Sequence, residues 1–256
     1  MHKKDRYTPG YSKTASGFMT RRSADTHARF FTPCLEPNMR LLDCGCGPGS
    51  ISCDFARMLS EGAVTAIDSE QTQIDLATER ARDLNLNNVE FLVGSVYHLP
   101  FDDGSFDVVF SHALFEHLSD PSSALSEIYR VLAPGGLVGI RSPDWGGFLV
   151  TPMSSRVEAA ISRYAAIQTD NGGDIHVGRK LPALARSAGF DDLHFSATYD
   201  CSQPPKVIGE YLADGLMASN ATKDADSMLE WSSNPDALWA QSWCEIVGMK
   251  KQNKRL

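Results

Sequence analysis

Apolar and polar positions along this chain alternate between two periods. Short apolar runs at 40–44, 63–67, 89–93, 106–111 and 137–141 are each bounded by glycine, proline or acidic residues, as buried strands are. Between them the apolar positions take helical spacing. Ile51, Phe55, Met58 and Leu59 fall at i, i+4, i+7 and i+8 of a segment over 50–60, and Ile74, Ala81 and Leu84 mark one face over 71–85. Asp120-Pro121 is a helix start, an N-cap with proline at the first helical position, and Ala124, Leu125, Ile128, Val131 and Leu132 form the stripe behind it. Pro134-Gly135-Gly136 ends that helix. Such alternation makes a parallel sheet with helices on both faces.

Both flanks have a different rhythm. Residues 1–23 are polar, hold Tyr7, Gly10, Tyr11, Gly17 and Phe18, and read as a flexible arm outside the core; 24–35 reads as a helix stopped before Pro37. After Pro143 the pattern predicts a helix over 154–167, a polar loop at 170–174 and a helix over 180–188 ended by Gly189. A sixth strand over 193–199, helices over 204–219 and 223–231, and a last strand over 240–248 complete the chain. The last strand reads as antiparallel and packed into the sheet. The expected fold is therefore α/β, a Rossmann-like doubly wound seven-stranded sheet, mostly parallel with an antiparallel last strand.

Length and charge narrow what this fold can serve. At 256 residues the chain suits one large domain, or a core with a lid. The 24 basic and 32 acidic residues leave a net charge of −8, which argues against nucleic acid as the main partner. The basic tail Lys250, Lys251, Lys254 and Arg255 reads as a solvated end. No apolar run reaches the roughly 18 residues that span a membrane. The start Met1-His2-Lys3-Lys4-Asp5-Arg6 leads into no apolar signal segment, which points to the cytoplasm. Four of the six cysteines (34, 44, 46 and 53, with 201 and 244) cluster, yet Cys44 and Cys46 lack the two-residue spacer of a zinc site and lie inside a glycine turn. Reduced thiols are expected, with neither metal nor disulfide.

That turn is Leu41-Leu42-Asp43-Cys44-Gly45-Cys46-Gly47-Pro48-Gly49-Ser50. Three glycines clear the bend of Cβ atoms so that a ligand can approach the backbone, and the N–H groups of the next helix point outward. A dinucleotide fingerprint needs a third glycine or alanine where Ser50 stands, so a nicotinamide-dependent oxidoreductase fits poorly. The Gly-Lys-Ser/Thr ending of a Walker loop is absent, as is a G-x-S-x-G elbow.

The stretch resembles the first motif of the class I S-adenosylmethionine (SAM)-dependent methyltransferases, nearest to those acting on carbon or oxygen of quinones and other small molecules. Three further matches follow in order: Asp68 ending the second strand, Gly94-Ser95-Val96 after the third, and Leu99-Pro100-Phe101-Asp102-Asp103-Gly104 leading to the fourth. The turn Arg130-Val131-Leu132-Ala133-Pro134-Gly135-Gly136 resembles the family's entry to the fifth strand. The resemblance implies SAM as cofactor, a small-molecule methyl acceptor, and a division into an arm and helix over the cofactor (1–35), a SAM-binding core (36–142), a substrate-side insertion or lid (143–180) and a completing segment (181–256). The implied cofactor contacts are Asp43, Gly45, Cys46, Gly47, Gly49, Asp68, Ser69, Gly94, Ser95, Val96 and Ser111, with Tyr11 from the arm. Asp68 would accept hydrogen bonds from the ribose diol, and Asp43 would orient the turn or take the ligand's ammonium. Ser95 departs from the family, where an Asp often takes the adenine amino group.

Methyl transfer needs alignment and water exclusion, and a base only if the acceptor carries a proton. His112 and His176 are the candidate bases. His112, Glu116 and His117 suggest a metal at first sight, but H-x-x-x-E-H matches neither zinc pattern. Trp145, Phe148, Met153, Tyr164 and His176 fall in the insertion and suit a pocket for a partly hydrophobic acceptor. A SAM-binding regulatory protein without catalysis is the non-enzymatic alternative.

Overall fold

The alternating runs form one sheet. In the computed structural model, which describes residues 5–252, α1 (Lys13–Met19) and the single turn α2 (Ala24–His27) precede β1 (Arg40–Cys44), α3 (Ser50–Met58), β2 (Ala63–Asp68) and α4 (Gln71–Asp83). Next come β3 (Val89–Val93), β4 (Phe106–His112), α5 (Pro121–Val131), β5 (Leu132–Pro143), β6 (Leu149–Thr151), α6 (Ser155–Asp170) and α7 (Val177–Ser187). The chain continues through β7 (Phe190–Cys201), α8 (Pro205–Ala218), α9 (Thr222–Ser232) and β8 (Leu238–Lys250). The strand order is β3-β2-β1-β4-β5-β8-β7, with β1 to β5 parallel and β8 antiparallel to both neighbours. To the seven expected strands the structure adds β6, which pairs with Leu238–Ala240 of β8 beyond the end of β5. The order reverses between β1 and β4, and in open α/β sheets ligands bind at the carboxyl ends of such a switch point.

Strands read as continuous apolar runs because both faces are covered. Leu41, Val108 and Phe110 face α3 with Phe31 and Phe55; Leu42, Val109 and Ile140 face α5 and α7 with Ile128, Leu181 and Phe190. A third apolar cluster lies off the sheet, where α6, α8 and α9 pack around Tyr164, Met228, Trp231 and Trp239. This helical cap is drawn from both sides of β7, so residues beyond 181 build it as much as the 143–180 insertion does.

Several boundaries differ from the reading above. The expected helix over 24–35 is α2 followed by a 3₁₀ turn at Thr32–Cys34. Pro33, inside that 3₁₀ turn, has no N–H with which to continue an α-helix, while Phe31 is drawn under the sheet onto Phe110, ring centroids 5.8 Å apart. Strand five starts at Leu132, paired with Phe106 before an irregularity that takes up the Pro134-Gly135-Gly136 segment. The arm is not outside the core: Ala15 and Met19 are buried, Ser12 caps α1 and hydrogen-bonds Asp214 of α8. Nor is Lys250 a solvated end. Its Nζ donates to the Arg130 and Leu132 carbonyls at 3.2 and 2.7 Å and sits 4.9 Å from the Tyr129 ring centre. Lys251 pairs with Asp191, whereas Lys254, Arg255 and the start at 1–4 lie outside the described residues.

Gly139 tests the packing directly. It lies in β5 between Phe110 and Val247, and a Cβ there would come within 2.5 Å of the Phe31 ring. Phe31 cannot retreat, because it is stacked on Phe110 and wholly buried. Gly139→Ala is expected to lower the unfolding free energy by about 1–3 kcal/mol in urea titration. An unchanged midpoint would contradict this contact.

Candidate active site

The site begins where β1 runs into the glycine turn. Gly45, Gly47 and Gly49 have φ of +79°, +52° and +74°, in the left-handed region that L-residues avoid. They do different work. A Cβ at Gly49 would lie 2.7 Å from the Ala77 Cβ, so this glycine lets α3 approach α4 and faces away from the ligand. A Cβ at Gly47 would meet only the Met19 sulfur, at 3.5 Å, across the cleft. The turn is tied down by its own donors: Gly45 and Cys46 N–H both donate to the Ile67 carbonyl at 2.9 and 3.0 Å, and Gly47 N–H donates to Asp68 Oδ2 at 2.9 Å.

Asp68 thus ends β2 with a carboxylate shared between two loops, since Oδ1 accepts the Glu70 N–H at 3.0 Å. A carboxylate has about four acceptor positions, so acceptor capacity remains for the cleft. Burial raises its pKa, opposed by the N–H groups of Glu70, Gly47 and Ser69. Asp43, buried behind the turn, is pushed up to about 7 by burial, with Ser52 Oγ donating to it at 2.6 Å in opposition.

The cleft runs from these residues to β3 and β4. Asp43, Gly45, Cys46, Gly47, Asp68, Ser69, Gly94, Ser95, Val96 and His112 line it, and the N-terminal segment closes it with Tyr7, Tyr11, Met19 and Arg22. Tyr7 and Tyr11 are stacked at 5.2 Å, and the Tyr7 ring meets His117 edge-on at 4.6 Å. Ser95 Oγ accepts the Tyr97 N–H at 3.3 Å.

Among the described residues several polar groups along this cleft lack partners, His112 Nδ1 and His117 Nδ1 among them, and two others match a charged nucleoside ligand. Gln73, only 1% exposed, donates from Nε2 to Ser16 at 3.3 Å, while its Oε1 is buried with no partner. Such an orphaned acceptor costs about 1–3 kcal/mol unless a ligand donor satisfies it. Arg22 is half-buried, and its guanidinium has neither ion pair nor hydrogen bond among the described residues; it lies 5.8 Å from the Phe18 ring centre. SAM matches both needs. Its ribose hydroxyls and ammonium would be donors for acceptors such as Asp68, Gln73 and Asp43, its carboxylate would suit Arg22, and Ile67 and Val96 would offer apolar surface to adenine.

Four expected site residues stand elsewhere or act otherwise. Ser111 is wholly buried and its hydroxyl donates to the Cys44 carbonyl at 3.0 Å, tying β4 to β1 without lining the cleft. Gly49 serves helix packing. His112 lines the cleft but is no base, because its Nε2 accepts from Arg141 Nη1 at 2.9 Å and burial, then the charges of Arg22 and Arg141, hold its pKa well below the usual value. Arg141, 1% exposed, also donates to Glu245 at 3.0 Å and Asp200 at 2.8 Å and lies 4.4 Å from the Trp243 ring centre. His176 sits at the start of α7, 3.5 Å from Asp144 and 42% exposed, and lines neither cavity. Among the described residues no group of three or more His, Cys, Asp or Glu side chains is placed to hold a metal.

A second cavity, with about 1420 Å³ of empty space up to its open mouth, adjoins the cleft; Arg22 and His117 line both. Its walls are aromatic. Trp145 stacks on Tyr164 at 5.3 Å, Phe18 stacks on Tyr211 at 4.3 Å, and Tyr199, Trp239 and Trp243 complete the ring wall. Of the other insertion residues, Phe148 stacks behind Trp239 at 5.4 Å, and Met153 is exposed. Burial pushes His27 down to about 4 and His117 to about 3, so both rings are neutral at neutral pH and Arg22 is the cation at the seam. Sequence reasoning missed Arg22 and Gln73. A lone arginine in a polar arm and a glutamine early in a polar helix carry no local mark of function.

Comparison with known proteins bears on the family and the fold. Residues 42–140 match the family described as a methyltransferase domain. An "Uncharacterized methyltransferase" of Schizosaccharomyces pombe is 31% identical, the alignment covering 88% of this chain and 84% of that one. The Aspergillus luteorubrus protein named "Probable methyltransferase ltbC" is 29% identical over 95% of this chain and 97% of its own. Among solved structures, the YcgJ protein from Bacillus subtilis superposes with a TM-score of 0.65 at 16% identity, covering 94% of this chain and all of that one. At that identity the likeness shows the fold.

Asp68→Ala is expected to weaken SAM binding ten- to a few hundredfold, and Gln73→Leu about tenfold, by calorimetric titration. Unchanged affinity in a folded Asp68→Ala protein would place the ribose elsewhere. Asp43 gives a pH test. Its folded pKa of about 7 exceeds the ordinary 3.8, so the folded chain keeps a proton that the unfolded chain loses, and stability falls as pH rises through that window. Asp43→Asn removes this dependence, so urea unfolding of the ligand-free protein should favour the variant more at pH 8 than at pH 5. A gap independent of pH would contradict the buried carboxylate.

Proposed function

The chain belongs to the class I SAM-dependent methyltransferases, and on that premise we propose that it methylates a carbon or oxygen of a small, partly hydrophobic molecule held in the second cavity. The observation that carries this reading is the aromatic cavity opening onto the cofactor cleft at Arg22 and His117. A cavity of this size and lining suits a ring system with a few polar substituents. The net charge of −8 supports a small acceptor over nucleic acid. No described helix is long and apolar enough to cross a membrane. The six unpaired cysteines support work in a reducing compartment such as the cytoplasm.

Bound SAM supplies a methyl group on a sulfonium, which passes to the acceptor by in-line displacement. The chain's own part is placement. Asp68 and Gln73 would hold the ribose end, Arg22 the carboxylate, and the stacked Tyr7 and Tyr11 rings would cover the cleft and face positive charge, worth about 0.5–2 kcal/mol. Trp145 and Tyr164 would fix the plane of the acceptor, so that its nucleophile meets the methyl group at the seam. The N-terminal segment excludes water by packing Met19 over the glycine turn.

Val207→Trp would fill the cavity from α8 without touching the cofactor cleft. With tritiated-methyl SAM and extracts of the native host, the wild-type protein is expected to label a small molecule extractable into organic solvent. Val207→Trp should lose that transfer at least tenfold while its SAM affinity stays within about twofold. Label entering macromolecules, or undiminished transfer by the variant, would sink the proposal.

A further inference from the structure

Glu116 is a buried carboxylate with no evident structural duty. It lies in the 3₁₀ turn Phe115–His117 after β4, is 3% exposed, and lines the aromatic cavity but not the cofactor cleft. Its backbone is clamped: the carbonyl accepts from Gln168 Nε2 and the Asp174 N–H, both at 3.0 Å, and a Cβ at Gly173 would come within 2.3 Å of it. The side chain is much less satisfied. Ser142 Oγ donates to Oε2 at 3.0 Å, while Oε1 is 3.7 Å from His117 Nε2, beyond hydrogen-bond range. Among the described residues no arginine or lysine pairs with it. Asp200, the other carboxylate of this cavity, is engaged by Arg141 at 2.8 Å.

The groups around Glu116 leave proton transfer to it. His117 is neutral, and its pKa of about 3 makes it a poor acceptor. Tyr7 from the N-terminal segment, Tyr164 of α6 and Tyr211 of α8 lie near one another, and burial holds all three phenols well above their ordinary value, so they remain donors. Arg22 is the charged neighbour, close enough to lower the Glu116 pKa slightly. Burial outweighs the residue's own backbone N–H, the Ser142 bond and Arg22, and raises the carboxyl to about 7, the range that suits a general base at neutral pH.

Resting on the acceptor cavity argued above, we propose that Glu116 is the general base of the reaction and that the acceptor presents an acidic hydroxyl, phenolic or enolic, to its Oε1. In the transfer the acceptor O–H bond breaks and its proton passes to Glu116. The electron pair left on oxygen forms the new O–CH₃ bond, and the methyl–sulfur bond breaks with its pair staying on sulfur. Glu116 returns the proton to water when the products leave. The Tyr164 and Tyr211 hydroxyls, on the walls of the same cavity, would meet the developing oxyanion. This narrows the methylated atom to oxygen.

The probe is 4-nitrophenol, whose ionisation changes its colour, bound to protein loaded with S-adenosylhomocysteine at pH 8. Two anions in one low-dielectric cavity share a proton, so the wild-type protein should take up about one proton per phenolate bound, read by calorimetry in buffers of different ionisation enthalpy. Glu116→Gln should take up none and hold the probe in its coloured, ionised form, with affinity for S-adenosylhomocysteine unchanged. Equal uptake in both proteins, or none in the wild type, overturns the proposal. Nitrobenzene, with no proton to give, reports on the cavity alone. Binding of nitrobenzene without 4-nitrophenol overturns the base and leaves the cavity standing, whereas binding of neither overturns both. Should Glu116→Gln fail to fold, Ser142→Ala decides, because loss of the donor to Oε2 should raise the midpoint pH of proton uptake and an unchanged midpoint would count against Glu116.

Discussion

Asp68 holds two loops with one carboxylate, and the site is arranged around that pair of bonds. Gly47 N–H reaches it from the turn after β1 and Glu70 N–H from the start of α4. With Gly45 and Cys46 donating to Ile67, the first three donors of the turn are spent on protein acceptors. A phosphate cradle needs such N–H groups free. The cleft around the turn carries acceptors instead, at Asp43, Asp68 and Gln73, with a cation at Arg22, as the proposed cofactor site requires. A nucleoside bearing an ammonium and a carboxylate meets that pattern; a pyrophosphate does not.

The second organising feature is the buried guanidinium of Arg141. It lies in β5 between Glu245 of β8 and Asp200 of β7, with Trp243 against its face. Removing one partner of such a buried pair typically costs about 3–5 kcal/mol, so β5, β8 and the edge strand β7 are held together here at the cavity floor. The same guanidinium occupies the His112 lone pair. A histidine at the cleft is thereby fixed in orientation and removed from acid–base work, which leaves proton transfer to whatever the aromatic cavity supplies.

Much of this was legible in the chain itself. The strand runs, the glycine turn and Asp68 are local in sequence, and the acidic residue that ends β2 must face the carboxyl edge of the sheet. The cap was not legible, because Tyr164, Tyr211 and Trp239 come together from three segments separated by β7, and no short window records that meeting. The N-terminal arm misled for a related reason. A helix of seven residues has too few turns to show a stripe, so Ala15 and Met19 looked no different from linker. His112 misled because its partner Arg141 is on the next strand. Glu116 was visible only inside a metal pattern it does not complete, and its reading rests on burial and on its having no ion-pair partner among the described arginines and lysines.

The central claim is that the cofactor and the acceptor meet at one seam, with the ribose on Asp68 and the reacting sulfur turned toward the aromatic cavity. A crystal structure of the complex with S-adenosylhomocysteine tests this most directly. The expected complex has ribose hydroxyls on Asp68, the carboxylate on Arg22, and the sulfur beside His117 where the two cavities join. A ribose bound away from Asp68, or a sulfur facing away from that seam, would contradict it.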